Sequence, residues 1–124
     1  MTEQEENIKR DNFFNYLDEF IEKQEKSELI NLTQIHSDYG SPRYKSPRRI
    51  LHYARGKAMI QFEIERNDMC VEKVIRYDGN KVYGNFKLAM EYLKSIDVYN
   101  EYFLIDFLMK SEPDIMNKFM KLKI

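Results

Sequence analysis

Between positions 39 and 57 the chain reads YGSPRYKSPRRILHYARGK, and here the residue types that do recognition chemistry are densest. Four of the seven arginines fall between Arg43 and Arg55, whereas 11 of the 13 lysines lie outside the stretch. The two cations are not equivalent. Arginine presents a planar, weakly hydrated fork that grips carboxylates and phosphates bidentately, while lysine is a compact, strongly hydrated point charge. Tyr39, Tyr44 and Tyr53 interleave with Arg43, Lys45, Arg48, Arg49 and Arg55. Cations alternating with aromatic rings suit a protein interface, where tyrosine and arginine act as anchors. They equally suit the stacked bases of a single-stranded nucleic acid. These eight residues are the candidate partner-binding set.

The same stretch contains a tandem repeat, Ser41-Pro42-Arg43-Tyr44 followed by Ser46-Pro47-Arg48-Arg49. The repeat resembles the S-P-basic-basic motifs of histone tails, over eight residues and with Tyr44 standing where the first copy needs a base. The resemblance implies turns that lie in the minor groove of AT-rich DNA. The local physics is simpler: serine followed by proline favours a type I turn.

Catalytic signatures are sparse. His36 and Asp38 form an H-x-D triplet, but no further ligand stands at a metal-site spacing, and two histidines with one cysteine make a poor zinc set. Cys70 has no neighbouring histidine to raise its nucleophilicity, and reads as a small buried apolar residue. An acid followed by E-x-K would mark a metal-dependent nuclease, and Glu72 followed directly by Lys73 breaks that pattern. None of the four glycines sits in a phosphate-cradling loop. Neither metal nor organic cofactor is expected. Arg, Lys, Tyr and His in one segment leave a metal-free ribonuclease as a third reading, after a binding module and a nucleic-acid accessory protein.

The formal net charge of −1 conceals a polarity. Residues 1–28 sum to −5, residues 29–60 to +5 and residues 61–124 to −1. Sums of this size create a directional field that draws a polyanion or an acidic protein face. The competing outcome is internal: the acidic N-terminal helix lies over the basic segment and neutralises it. A dedicated DNA binder is commonly basic overall, so the balance places a protein partner with an acidic surface first and nucleic acid second.

The elements that must position these residues follow from the rest of the 124-residue chain, which is the size of one domain, 1–124. A hydrophobic content of 43% and a charged content of 33% suit a water-soluble fold. No apolar run approaches the ~18 residues of a membrane span, the polar N-terminus is unlike a targeting signal, and one cysteine fits the reducing cytoplasm. Richness in Lys, Asn and Ile points to an AT-rich genome, of the kind that mobile elements often carry.

Thr2 and Glu5 form a capping box for a helix over 3–27, with Phe13, Leu17, Phe20 and Ile21 as its core stripe. Residues 29–36 read as a strand or as a resumed helix, and 37–49 as a proline-punctuated loop. Residues 49–54 and 58–65 read as strands, the second because Ala58, Ile60, Phe62 and Ile64 alternate with Met59, Gln61, Glu63 and Glu65. Residues 71–77 and 81–83 read as a hairpin about Asp78-Gly79-Asn80. Asn85 caps a helix to residue 96, Asp97 caps an apolar and therefore buried one, and Ser111-Pro113-Asp114 opens a last helix striped by Ile115, Met116, Phe119 and Met120. The sum is an α+β fold. An N-terminal helix leads to an antiparallel meander of three to five strands within 29–83, and two to three C-terminal helices pack on the sheet. The expected function is that of a small non-enzymatic protein-binding module, a regulator, adaptor or inhibitor that occupies a partner's surface.

Overall fold

The Thr2 side chain accepts a hydrogen bond from the Glu5 amide at 3.1 Å, and from this cap α1 runs over Glu3–Glu25 in the computed structural model of the chain, which describes residues 2–111. After α1 come β1 (Ile30–Asn31), α2 (Leu32–Tyr39), α3 (Pro47–His52) and α4 (Ala54–Arg66). The hairpin β2 (Ile75–Asp78) and β3 (Lys81–Gly84) follows, and then α5 (Phe86–Ile96) and α6 (Val98–Ser111). The fold is α+β: a three-stranded antiparallel sheet, with the N-terminal and C-terminal helices packed on it. The helix expected after Ser111 lies outside the described residues.

α5 is the centre of the core. Asn85 caps it, its side chain accepting from the Leu88 amide at 3.0 Å. Leu88, Ala89, Tyr92, Leu93 and Ile96, at spacings of one, three and four, are all buried. α1 brings Phe13 and Phe20 against this helix and α6, with Phe13 6.2 Å from Phe103 and Phe14 5.4 Å from Phe107. Ile21, expected in the stripe, is exposed. Asp97 caps α6 through the Tyr99 amide at 3.0 Å, as expected. α6 itself is not buried. Phe103 and Asn100 face the core, while Val98, Tyr102, Phe107 and Met109 are exposed, because among the described residues α6 has neighbours, α1 and α5, along one side only.

The sheet order is β1-β3-β2, so β3 is central. Ile30 pairs with Gly84 on one side of it, and Arg76 pairs with Tyr83 on the other. The hairpin turns where expected, at Gly79, whose φ of +59° is open to glycine at no steric cost. The ambiguous stretch 29–36 does both things it was read for: two residues of strand, then a helix capped by Asn31 through the Gln34 amide.

The strands expected at 49–54 and 58–65 are helices α3 and α4. The alternation of Ala58, Ile60, Phe62 and Ile64 misleads because a second periodicity runs through the same residues. Gly56 and Glu63 are buried and Met59, Ile60 and Ile64 half-buried, at the three-to-four spacing of one helical face. Phe62 sits on the opposite face, 54% exposed, with the Arg66 guanidinium 5.5 Å from its ring one turn on. Ala, Arg, Lys, Met, Gln and Glu, all strong helix formers, make up most of the segment, and their summed preference favours the helix. Glu63 is the buried charge of this face. Asn85 donates to its carboxylate at 3.0 Å, so one asparagine both caps α5 and ties α4 to it.

Arg55-Gly56, between the two expected strands, lies in the first turn of α4, and Gly56 is there for closeness. A Cβ at this position would stand 2.6 Å from the Leu51 Cα and 2.7 Å from the Ile50 carbonyl oxygen. Backbone on that side cannot yield as a flexible side chain would. Helix propensity alone predicts that Gly56→Ala gains about 1 kcal/mol. The clash predicts a net loss of about 1–3 kcal/mol instead, read from the urea midpoint of the variant.

Three tyrosines hold their protons more tightly when folded. Burial raises the pKa of Tyr92 and of Tyr39 above the ordinary 10.0, and burial followed by a 2.8 Å hydrogen bond to Asp38 raises that of Tyr16. The unfolded chain therefore loses these protons first. Their contribution is intact below pH 10.0 and declines as pH rises from there toward the folded values. Denaturant midpoints measured up the alkaline range should be level below this point and fall beyond it, and Tyr92→Phe should make the fall shallower.

Candidate functional site

The tandem S-P repeat builds two consecutive turns. After Pro42 the Lys45 amide reaches back to the Pro42 carbonyl at 2.9 Å, closing a 3-10 turn over Arg43–Lys45. Pro47 occupies the first position of α3, where its missing N–H leaves no helical bond unmade, and the Ile50 amide bonds the Ser46 carbonyl at 3.0 Å. The stretch read as a loop is thus largely helical, α2 continuing to Tyr39 and a left-handed Gly40 ending it. Tyr53 is extended (φ −68°, ψ 160°) and separates α3 from α4, which Gly56 then lets lie close against α3.

Between these turns and α5 lies a cavity of about 300 Å³. Its floor is apolar: Ile50, Leu51, Met59 and the ring of Tyr92. Tyr92 is buried, and its hydroxyl donates to the Lys45 carbonyl at 2.7 Å, fixing the 3-10 turn to α5. Tyr44 and Tyr53 stand at the mouth, 60% and 62% exposed. Arg55 and Glu91 complete the rim. The Arg55 guanidinium is 89% exposed and 3.6 Å from Glu91, whose other oxygen takes a 2.8 Å bond from Lys94.

Of the eight residues singled out from the sequence, Tyr44, Lys45, Tyr53 and Arg55 line this one cavity. Lys45 also serves the fold, its ammonium donating to the Ile96 carbonyl at 3.2 Å. Tyr39 lies elsewhere, stacked on Tyr16 at 5.9 Å and hydrogen-bonded through its hydroxyl to Asn100. Arg48 holds the hairpin: its guanidinium lies 5.0 Å from the Tyr77 ring and donates to the Gly79 carbonyl at 2.6 Å. Arg43 and Arg49 are exposed and join no ion pair among the described residues. The acids of α1 do not reach the basic segment either. Glu6 pairs with Arg10 within α1, and Glu22 with Lys26 at its C-cap.

The sequence reading missed Ile50, Leu51, Gly56, Met59, Glu91, Tyr92 and Ser95. The signal for the first four was proline at a helix start followed by three-to-four spacing.

The other chemistry-bearing residues have structural partners. The His36 ring meets the Pro42 carbonyl at 3.0 Å, and Asp38 accepts from Tyr16 and Gln34, so the H-x-D pair turns to two different tasks. Cys70 is half-buried rather than buried, its thiol 3.2 Å from Glu72. Among the described residues no three His, Cys, Asp or Glu side chains cluster as metal ligands would. A second cavity, of about 540 Å³, is walled by opposed charges, Glu28, Glu63 and Glu72 against Arg66, Lys73 and Lys87.

Comparison of the chain with protein-family models, with curated proteins and with solved structures finds no match in any of the three.

The division of labour among the arginines is measurable. Arg48→Ala should lower stability by about 1 kcal/mol, since it removes a charged donor from a backbone carbonyl and a cation–π contact at the surface. Arg43→Ala and Arg49→Ala should each stay within about 0.5 kcal/mol of the parent in the same denaturant titration.

Proposed function

We propose that this chain is a non-enzymatic protein-binding module, a small regulator, adaptor or inhibitor that acts by occupying a partner's surface. One observation carries the reading. Two exposed tyrosines and an arginine frame a cavity with an apolar lining, in which Ile50 and Met59 are part-exposed over the buried Leu51 and Tyr92. Tyrosine and arginine over a desolvated apolar pocket form the composition of an interface hot spot. The partner that fits has an acidic surface, because the segment from 29 to 60 holds its +5 without help from the acids of α1. A reducing, cytoplasmic setting suits Cys70 as a free thiol beside Glu72. Among the described residues no helix is long and apolar enough to cross a membrane.

Nucleic-acid binding is the second reading, and the outward-facing Arg43 and Arg49 favour it. Affinity carried by phosphate contacts falls steeply with salt, whereas an apolar anchor holds. Capture from the source cell on the immobilised chain, with and without nuclease, separates the two. The expected result is a defined protein retained after nuclease and lost from the double variant Tyr53→Ala, Arg55→Glu at unchanged thermal midpoint. Recovery that nuclease abolishes assigns the surface to nucleic acid, and recovery indifferent to the double variant removes this groove from the function.

A further inference from the structure

We infer that the groove between Tyr44 and Tyr53 receives a short extended peptide carrying one apolar side chain and, within two residues of it, a carboxylate. The inference rests on the reading of this groove as a protein-binding site, and names what the groove takes. Volume sets the scale: about 300 Å³ stands at the lower end of ligand clefts, room for a side chain or two rather than a large cofactor. The floor sets the chemistry of the anchor. Ile50, Leu51 and Met59 offer no side-chain hydrogen bond, and the two hydroxyls in the lining already donate, Tyr92 to the Lys45 carbonyl and Ser95 to the Glu91 carbonyl. Leu, Ile, Met or Phe gains from burial there, and the thioether of Met59 adapts to their different shapes. A nucleobase is a poorer occupant, since its edge donors and acceptors would be desolvated without partners.

The rim sets the charge beside the anchor. Arg55 stands 3.6 Å from Glu91, beyond hydrogen-bonding distance, and Lys94 holds Glu91 at 2.8 Å. Glu91 is thus shared between two cations, the nearer being Lys94, and the Arg55 side chain, 89% exposed and only loosely paired, presents its fork to a further carboxylate. Lys45 lines the same cavity, but its ammonium is turned to the Ile96 carbonyl at 3.2 Å, so the charge at the mouth is that of Arg55. An extended chain advances roughly 3.3 Å per residue, so an acid one or two positions from the anchor falls within reach of an arginine side chain at the mouth.

The test is to select short random peptides displayed on phage against the full chain. The enriched peptides are then titrated by fluorescence anisotropy against the parent, Tyr53→Ala and Arg55→Glu, with thermal midpoints checked for each. If Tyr53→Ala disturbs the α3–α4 junction, Tyr44→Ala takes its place. The enriched peptides should share Leu, Ile, Met or Phe within two positions of Asp or Glu. Tyr53→Ala and Arg55→Glu should each weaken them about tenfold or more, and selection against Arg55→Glu should recover the same apolar anchor beside Lys or Arg. Peptides that need Tyr53 but bind Arg55→Glu undiminished overturn the inferred charge and leave the groove standing as a protein site. Peptides indifferent to both substitutions, or a selection that enriches nothing, overturn both. Displacement of the peptides by an oligothymidylate whose affinity falls steeply with salt overturns the inference in favour of nucleic acid.

Discussion

Tyr92 is the interaction on which the rest of the structure turns. Its ring fills the centre of the buried face of α5, the helix that touches α1, α2, α3, α6 and β3. A tyrosine so deep must satisfy its hydroxyl, because an unpaired buried O–H costs on the order of 1–3 kcal/mol. The chain meets that demand by bringing the Lys45 carbonyl to within 2.7 Å. That one bond fixes the 3-10 turn relative to α5, and with the turn it fixes Tyr44 above the groove. Core formation and the geometry of the groove are thus one event, in which the floor is core seen from outside.

The charge pattern is resolved in the same economical way. α1 is acidic and pairs two of its acids locally, Glu6 with Arg10 and Glu22 with Lys26 at the C-cap, while Lys9 reaches beyond the helix to Asp97 at the start of α6. Short-range pairing within a helix needs no tertiary arrangement, so it wins over a remote union with the basic segment. The arginines then divide by reach. Arg48 finds a carbonyl and a ring on the hairpin, whereas Arg55, at the first turn of α4, finds only an acid that Lys94 already holds.

Elements whose signals are local were legible in the residues themselves. Thr2, Asn85 and Asp97 announce their helices by side-chain capping, and Gly79 announces its turn. The segment from 49 to 66 was not, because its apolar residues satisfy periods of two and of three to four at once, and only the neighbouring backbone decides between them. Gly56 decides here, since its contact with Leu51 and Ile50 exists only between two helices. The same misreading hid half of the site. Tyr44, Tyr53 and Arg55 were visible by type, but a floor of Ile50, Leu51 and Met59 comes together only when both segments are helical. Tyr39 and Arg48 could not be separated from the others by composition, because what distinguishes them is a partner distant in sequence, Asn100 for one and Gly79 for the other.

The sheet's modest size has its own effect on how these molecules treat one another. Of the two edges left unpaired among the described residues, one is a strand of two residues and the other carries Arg76 and Asp78 in a strand of four. Exposed edges are templates on which strands from other copies can add. An edge two residues long offers too few backbone groups to hold an incoming strand, and a charged edge makes each addition desolvate ions. With Arg48 pinning the turn at Gly79 to α3, the second edge is anchored at one end as well. A folded molecule of this kind is a poor seed for its own aggregation, even while it keeps an apolar groove open to a partner.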